Sequence, residues 1–525
     1  MADERIGGTR AGIPSQSGNI GNRLHQLQAG DGRLRLGSGR RRKQHAPIVV
    51  RPRPHGKGGM PVRLSYSPAR TRRFLAKTVS RRRNIMRLLS LAALLGGLSL
   101  AALAQAQAPQ TAPKVDITVF TSTDPALKDA PYTLRTSTKE MSLTIGIGSG
   151  AFRRQGDAPF RFFTLSDRGP NIACGDLDGY GANKDELCKE APKNGRVYPR
   201  PGYSPSFYQV ELDPATKTFK LVGVTPAKTK SGKPTSGLLN PLTVASTEIP
   251  LDGTGKKLEQ DPNGVDMEGL AVLKDGTMWV GDENGPSLMQ FDAEGRLQRR
   301  LVPTGTEKDY AAADYETIGA LPAILTKRSL NRGIESLSIS PDETHLYFLL
   351  QNPLANPDAK TYQAATNARL YKMERVSGKI VGEWVYPMDP VATYPGEKSP
   401  NNSTVRISEI MALSGDRLVV LERTEKTTRL YEVALTADGN ILGSAWDDVA
   451  TTPSLEATPS DAPAVKALKK TIRFDTAAYP EAPVKLEGMA LAGDGRLMLI
   501  NDDDFGIDGA TTKILLIDGT GIRMN

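Results

Sequence analysis

The chain is predicted to be all-β, a single β-propeller of four-stranded blades, with six blades expected and five or seven as the alternatives. Three observations lead there. After about residue 108 the sequence has no long helical periodicity. It offers short runs of Val, Ile, Leu, Phe, Tyr and Thr between Gly, Pro, Asn and Asp turns, the pattern of strands. One segment then recurs: "EGLAVLKDGTMWVGDE" from Glu268, "ESLSISPDETHLYFLLQN" from Glu335, "EIMALSGDRLVVLER" from Glu409 and "EGMALAGDGRLMLINDD" from Glu487, with a divergent copy, "SGAFRRQGDAPFRFFTLSDRG", from Ser149. Finally, each copy is followed by a second hairpin: "SLMQFDAEGRLQRRL", "ARLYKMERVSGKIVGEW", "TRLYEVALTADGNILGS", "TKILLIDGTGIRM" and "SFYQVELDPATKTFKLVG". Two hairpins make four strands, which is one blade.

The elements follow in chain order. Residues 1–104 carry 21 Lys and Arg against 3 Asp and Glu, a net charge of +18; the remaining 421 residues carry 47 against 55, a net charge of −8. The basic character belongs to the leader, so total charge does not argue for nucleic acid, and no such partner is expected. Arg81, Arg82, Arg83 and Arg87 flank the start of a 16-residue apolar run, 88–103. Small-x-small cleavage sites follow, at Ala102-Leu103-Ala104 or Ala104-Gln105-Ala106. Residues 86–104 therefore read as a secretory signal peptide. The run falls short of the ~20 residues of a bilayer span, and an uncleaved anchor is the alternative. Residues 1–85, rich in Arg, Gly and Pro, are expected to be a disordered basic extension upstream of a true start at Met86; a genuine basic arm is the alternative. "SRRR" at 80–83 suggests twin-arginine export. The product, residues 105–525, is expected to be one domain, periplasmic or secreted, monomeric, and free of the membrane once the signal is cleaved.

Cys174 and Cys188 flank "GDLDGYGANKDEL" and are expected to form a local disulfide in an oxidising compartment. "DLDG" at 176–179 resembles a calcium loop but has Leu187 where an EF-hand needs Glu. Spacings of 67, 74 and 78 residues between Glu268, Glu335, Glu409 and Glu487 exceed the ~40–45 of WD40 blades, so long inter-blade loops are implied. The gap of 119 residues from Ser149 to Glu268 leaves room for a sixth blade beside the cysteine loop. Residues 114–136 offer a strand to close the ring with the last blade. "ATTPSLEATPSDAP" at 450–463 reads as an exposed loop.

Folding each repeat about its turn places Glu268 opposite Asp282, Glu335 near Leu350 and Gln351, Glu409 near Leu421 and Glu422, Glu487 opposite Asn501 beside Asp502, and Ser149 near Asp167. Polar oxygen ligands thus collect at one open end of every inner hairpin, around one mouth of the channel. A ring of Glu268, Glu335, Glu409 and Glu487 repels itself unless it binds protons or a cation. Calcium, or another hard divalent cation, suits an all-oxygen ligand set, with Glu268, Asp282, Glu283, Glu487 and Asp502 as its ligands. Asp266, Asn284, Asp503 and Asp504 add oxygens nearby. For any single acid, a turn cap or an ion pair is the plain alternative.

Other chemistries are excluded by composition. His345 is the one histidine after residue 104, and it sits inside a strand. There is no G-x-S-x-G elbow and no Cys-x-x-Cys, so a serine triad and a zinc site lack their residues. Carboxylates, a hard cation and Arg or Lys remain, a combination suited to phosphoester hydrolysis. Arg168, Arg332, Arg423 and Lys426 lie near the same blade ends as candidate phosphate ligands, with ion pairing to the neighbouring acids as the alternative.

"LSDRGPN" at 165–171, "DMEGLAVLKDGTMWVGDENGP" at 266–286 and "LEGMALAGDGRLMLINDDDFG" at 486–506 together resemble the phytase-like family of secreted bacterial propellers, the "esterase-like activity of phytase" family. The resemblance spans about residues 142–518. It implies a propeller related to calcium-dependent phytases, with phosphoesterase or esterase activity. It carries Asp167, Arg168, Glu268, Asp282, Glu283, Glu335, Glu409, Glu487 and Asp502 over as mouth residues, with Glu268, Glu335, Glu409, Glu487, Asp167 and Arg168 as the catalytic candidates. The net acidic exported part departs from the dense Lys/Arg funnel that a hexakisphosphate needs, so a smaller ester is expected. The alternatives are a propeller resembling sugar-lactone hydrolases and a non-catalytic binding platform with structural calcium.

Overall fold

The hairpin centred on Asp275 shows how these sequences make a blade. Asp275 accepts the Thr277 N–H through Oδ1 at 2.9 Å, and Gly276 takes a φ of +88°, reversing the chain between Met267–Val272 and Met278–Asp282. Both strands are buried along their whole length, as strands covered on two faces must be. The computed structural model describes residues 110–244 and 247–524. The expected extension at 1–85 and signal peptide at 86–104 lie outside the described residues. Among the described residues no helix is long and apolar enough to cross a membrane.

Five sheets share one pattern. The first blade is Gly150–Phe152, Arg161–Leu165, Ser206–Asp213 and Thr218–Pro226. The second is Met267–Val272, Met278–Asp282, Ser287–Phe291 and Leu297–Pro303, to which Glu316–Leu321 adds a fifth, parallel strand. The third is Ile334–Ile339, His345–Leu350, Asn367–Glu374 and Ile380–Pro387. The fourth is Arg406–Ala412, Arg417–Arg423, Thr428–Ala434 and Thr471–Asp475. The fifth is Leu486–Leu491, Leu497–Asn501 and Ile514–Asp518, completed by Asp116–Phe120 from the other end of the described chain. The strand expected within 114–136 therefore does close the ring, antiparallel to Ile514–Asp518.

The innermost strands pack in a cycle, first blade to second and onward through the fifth back to the first. Five apolar clusters fill the five clefts between successive blades. Phe207 and Phe291 meet between the first and second, and Trp279 lies with Phe348 between the second and third. Tyr386 with Val420, Leu421 with Leu499, and Phe162 with Met498 fill the others. Neighbouring blades thus bury their facing sides against one another, which is how a propeller buries surface without one large core.

Six blades is therefore corrected to five among the described residues. The segment expected to hold a sixth instead forms a cap. It supplies a three-stranded sheet of Ile172–Ala173, Gly195–Tyr198 and Ile249–Asp252, and the pair Tyr132–Thr133 with Glu140–Met141, from before that segment, joins it. These have their own small apolar cluster around Leu177, Leu187 and Leu251, with Cys174 and Cys188 bonded inside it. "DLDG" lies in the 3₁₀ turn Cys174–Tyr180, where Asp178 pairs with Lys184 at 2.7 Å. Two second hairpins also differ from expectation. Thr428–Ala434 pairs with Thr471–Asp475 across a long insertion, and Ile514–Asp518 takes Asp116–Phe120 as its outer neighbour. Nor is 450–463 simply exposed. Ser454, Leu455 and Glu456 are buried, and Glu456 accepts from the Arg369 Nε at 2.7 Å, tying the insertion to the third blade.

Candidate functional site

Four of the five inner hairpins open with the same irregularity. The pairs Met267 with Asp282, Ile334 with Leu350, Ile407 with Glu422 and Leu486 with Asn501 are each followed by a register shift. One extra residue stands out of each ladder: Glu268, Glu335, Ser408 and Glu487. Such a bulge re-aims its side chain, here toward the mouth of the channel. Gly269 and Gly488 follow two of the glutamates. A Cβ on Gly269 would overlap the Leu337 nitrogen, and one on Gly488 would lie 2.8 Å from the Gly150 carbonyl carbon. The Glu-Gly pair thus turns a carboxylate into the mouth and lets the neighbouring inner strand close in behind it.

The bulges give a common frame. Two residues before them stand Asp266, Gly333, Arg406 and Lys485. One residue past the paired partner on the second strand stand Glu283, Gln351, Arg423 and Asp502, and the first blade contributes Asp167 at the matching exit. The mouth is therefore polarised. The second blade presents Asp266, Glu268 and Glu283, the fourth presents Arg406, Ser408 and Arg423, and the fifth mixes Lys485 with Glu487 and Asp502. All of these except Asp266 and Ser408 line a cavity of about 300 Å³, walled on one side by Asn171, Asp176, Tyr180 and Arg196 of the cap. Apolar groups are few there, chiefly Ile172, Phe505 and Ile507.

Two carboxylate triads meet at Glu268. Asp167, Asp266 and Glu268 offer oxygens within 4.8 Å of one another, as do Glu268, Glu335 and Glu487. Glu268 Oε2, Glu335 Oε2 and Asp266 Oδ2 are buried without a hydrogen-bond partner. Burial raises the pKa of Glu268 far above its ordinary value, and Glu335 and Asp266 push it further. Glu335 is raised likewise by burial and by Glu283 and Glu487. Burial also raises Asp167, helped by Asp502 and Asp266. Glu487 rises to about 7 through burial, held back by Arg423 and Lys485, and Glu283 rises to about 7 against the pull of Arg332. Crowded oxygens with unmade bonds and raised pKa values are the donor set of a hard divalent cation, and the residues present fit one.

The other half of the mouth is compensated from within. Arg423 pairs with Glu487 through Nη2 and donates to Ser408 Oγ at 2.9 Å. Lys485 binds Asp502 at 2.5 Å and also Asp504. Arg332 reaches Glu283 at 3.3 Å.

Of the sequence-predicted residues, Asp167, Arg168, Glu268, Glu283, Glu335, Glu487 and Asp502 line the cavity together. Arg168 is committed: its guanidinium holds Glu248 at 2.7 Å and faces Asp266 at 3.6 Å. Asp282 is a correction. It lies beneath the mouth, accepting from Gly285 at 2.8 Å and Asp266 at 3.2 Å and facing Arg300 at 3.4 Å, so it braces the hairpin. Glu409 is the second correction. In the fourth blade the bulged residue is Ser408, so Glu409 takes the place of Gly269 and Gly488. Its carboxylate accepts from Ile410 at 3.0 Å and Ala151 at 3.3 Å, away from the mouth. Burial raises its pKa, against the pull of those N–H groups. Lys426 donates to the Gly396 carbonyl and does not line the cavity. Arg406, Lys485 and Glu425 were missed. The signal for the first two was their fixed place two residues before each bulge.

An uncharacterized secreted protein of Arthroderma benhamiae is 29% identical over 183 residues, 31% of this chain and 35% of that protein, so the match spans about a third of the relative's length. Among solved structures, the PQQ-bound aldose sugar dehydrogenase of Streptomyces coelicolor aligns at 12% identity over 77% of this chain and 99% of its own, with a TM-score of 0.28. A streptogramin B lyase aligns at 10% identity over 77% and 97%, with a TM-score of 0.26. The propeller assignment rests on the closed cycle of sheets and not on these alignments. The phytase-like family profile, described as esterase-like activity of phytase, matches residues 197–505, from the cap strand through the fifth blade's mouth loop. The chain belongs to the phytase-like family.

Proposed function

We propose that the protein is an exported, calcium-dependent hydrolase of small phosphoesters or other polar esters, acting as a monomer at the propeller mouth. One observation carries the reading: two carboxylate triads share Glu268 and leave buried oxygens unpartnered beside a cluster of arginines. Asp167, Asp266, Glu268, Glu335 and Glu487 would hold the cation. Bound there, it would polarise an ester oxygen and lower the pKa of a water. The chain's own part is to orient the substrate. Arg332, Arg406 and Arg423 face the triads and would hold an anionic ester across the mouth. The scarcity of apolar lining supports a polar ester over one with an acyl chain. Export is supported by the signal-like segment, the Cys174–Cys188 bond and the likeness to a secreted protein.

The test is turnover of p-nitrophenyl phosphate, p-nitrophenyl acetate and phytate by the purified protein, with Ca²⁺ and with EGTA, alongside its melting temperature. Calcium-dependent turnover of an ester is expected. A second reading, a binding platform with structural calcium, is favoured by the ion pairs that already compensate Glu487 and Asp502. A calcium-induced melting shift without turnover of any ester would establish that reading instead.

A further inference from the structure

Three guanidinium groups line the mouth beside the triads, where Arg423 pairs with Glu487. Arg332 comes from the turn before the third blade, while Arg406 and Arg423 face each other across the first hairpin of the fourth, where they are paired residues. Like charges do not gather without a reason, because each repels the next. Burial lowers the pKa of Arg406, and the charges of Arg332 and Arg423 lower it further. Each also has a buried nitrogen that no protein group accepts from: Arg332 Nε, Arg406 Nε and Arg423 Nη1. The Arg423 side chain is only 1% exposed, so its free N–H is shielded from bulk water.

Glu283 already reaches Arg332 and Glu487 pairs with Arg423, and a third carboxylate sits nearest Arg406. Glu425 binds Arg406 at 2.5 Å and stands 3.8 Å from Arg423. Burial opposes its ionisation, yet Arg423, Arg406, Lys485 and Arg332 together bring its pKa down to about 2. Its side chain is half exposed, at 53%, and belongs to the short turn leaving the second strand, so it can swing into solvent. It has the position and charge of a resident stand-in for a ligand anion.

We propose that Arg332, Arg406 and Arg423 form a subsite for a phosphate-type oxyanion, which Glu425 occupies until the ligand displaces it. Forked guanidinium donors match tetrahedral oxyanions, and three of them suit a dianion better than a monocarboxylate. The subsite deepens the reading of the mouth as a substrate site: it assigns the anionic end of the substrate to the fourth-blade side and directs the scissile ester toward Glu268. It does not require the cation, so the two can fail separately.

The experiment is calorimetric titration of inorganic phosphate, sulfate and acetate into the purified protein in EGTA. Phosphate is expected to bind, sulfate more weakly and acetate least. Arg406→Gln is expected to weaken phosphate roughly tenfold or more, as losing one charge-assisted hydrogen bond predicts. Glu425→Gln is expected to tighten it severalfold, a gain that a damaged fold cannot produce. No phosphate binding, equal binding of acetate, or an unchanged affinity in both variants would overturn the subsite. Phosphate binding without ester turnover in Ca²⁺ would leave the subsite standing and remove the hydrolase. Turnover of p-nitrophenyl phosphate with a KM indifferent to Arg406→Gln would do the reverse.

Discussion

Neighbouring acids in one hairpin do unlike work. Glu268 and Asp282 are both buried acids of the second blade, but Asp282 has N–H donors and Arg300, while Glu268 Oε2 has no partner. Replacing Glu268 by Gln should therefore abolish both the calcium-induced rise in melting temperature and calcium-dependent turnover, while costing little stability in EGTA. Asp282→Asn should do the opposite, because it leaves the Arg300 guanidinium, which is fully buried, without its carboxylate. Breaking a buried pair costs about 3–5 kcal/mol, and the calcium shift should survive. Urea denaturation of both variants, with and without Ca²⁺, checks the contrast; a matched response would erase the distinction. Glu268, Glu335 and Glu487 were legible because they recur at one place in each repeat. Glu409 misled because "RISEIMA" carries its acid one residue later than the matching "KLEGMAL", and folding a hairpin about its turn cannot reveal which residue the bulge adds. Arg406 and Lys485 were readable only once the bulge gave a common origin.

At the scale of elements, the blades were readable and the cap was not. Alternating runs and turn residues mark strands wherever the hairpins are short, and four of the inner hairpins were registered to within a residue. The 119-residue gap from Ser149 to Glu268 has no such rhythm, since its strands are two to four residues long outside the first blade and draw their stability from a separate cluster and a cross-link. That makes the disulfide a local device. For a loop of this length the chain-entropy model assigns it about 3 kcal/mol. Cys174→Ser with Cys188→Ser should speed hydrogen exchange through Ile172–Ala173 and Gly195–Tyr198 while leaving Met278–Asp282 and Leu497–Asn501 as slow as before. Because Asp176, Tyr180 and Arg196 wall the mouth, KM for a phosphoester should rise more than kcat falls. Faster exchange spread evenly over the inner strands would show that the cap is continuous with the propeller core.

At the scale of the molecule, five blades enclose one charged mouth, and the ring closes only when Asp116–Phe120 joins Ile514–Asp518. The inner strands force the acids together, so an open mouth without a cation stores repulsion that depends on pH. Glu283 and Glu487 have folded pKa values of about 7 against 4.5 in a free side chain, while Asp282 and Asp503 have about 6 against 3.8; burial leads each shift. Between about pH 4 and 7 the folded chain thus binds more protons than the unfolded chain. Stability must then fall as pH rises through that window. Glu425 and Asp342, held near 2, act in the opposite sense, their contribution being lost only as pH falls below their free values. In EGTA the melting temperature should therefore peak near pH 4 to 5 and decline steadily to pH 8. With excess Ca²⁺ the mouth acids should ionise to bind it, releasing protons, and the decline should flatten or reverse as affinity grows with pH. Melting curves across pH 4–8 in both conditions decide it: a flat profile in EGTA, or parallel profiles with and without Ca²⁺, would mean that the mouth acids neither repel one another as buried neighbours must nor share a cation.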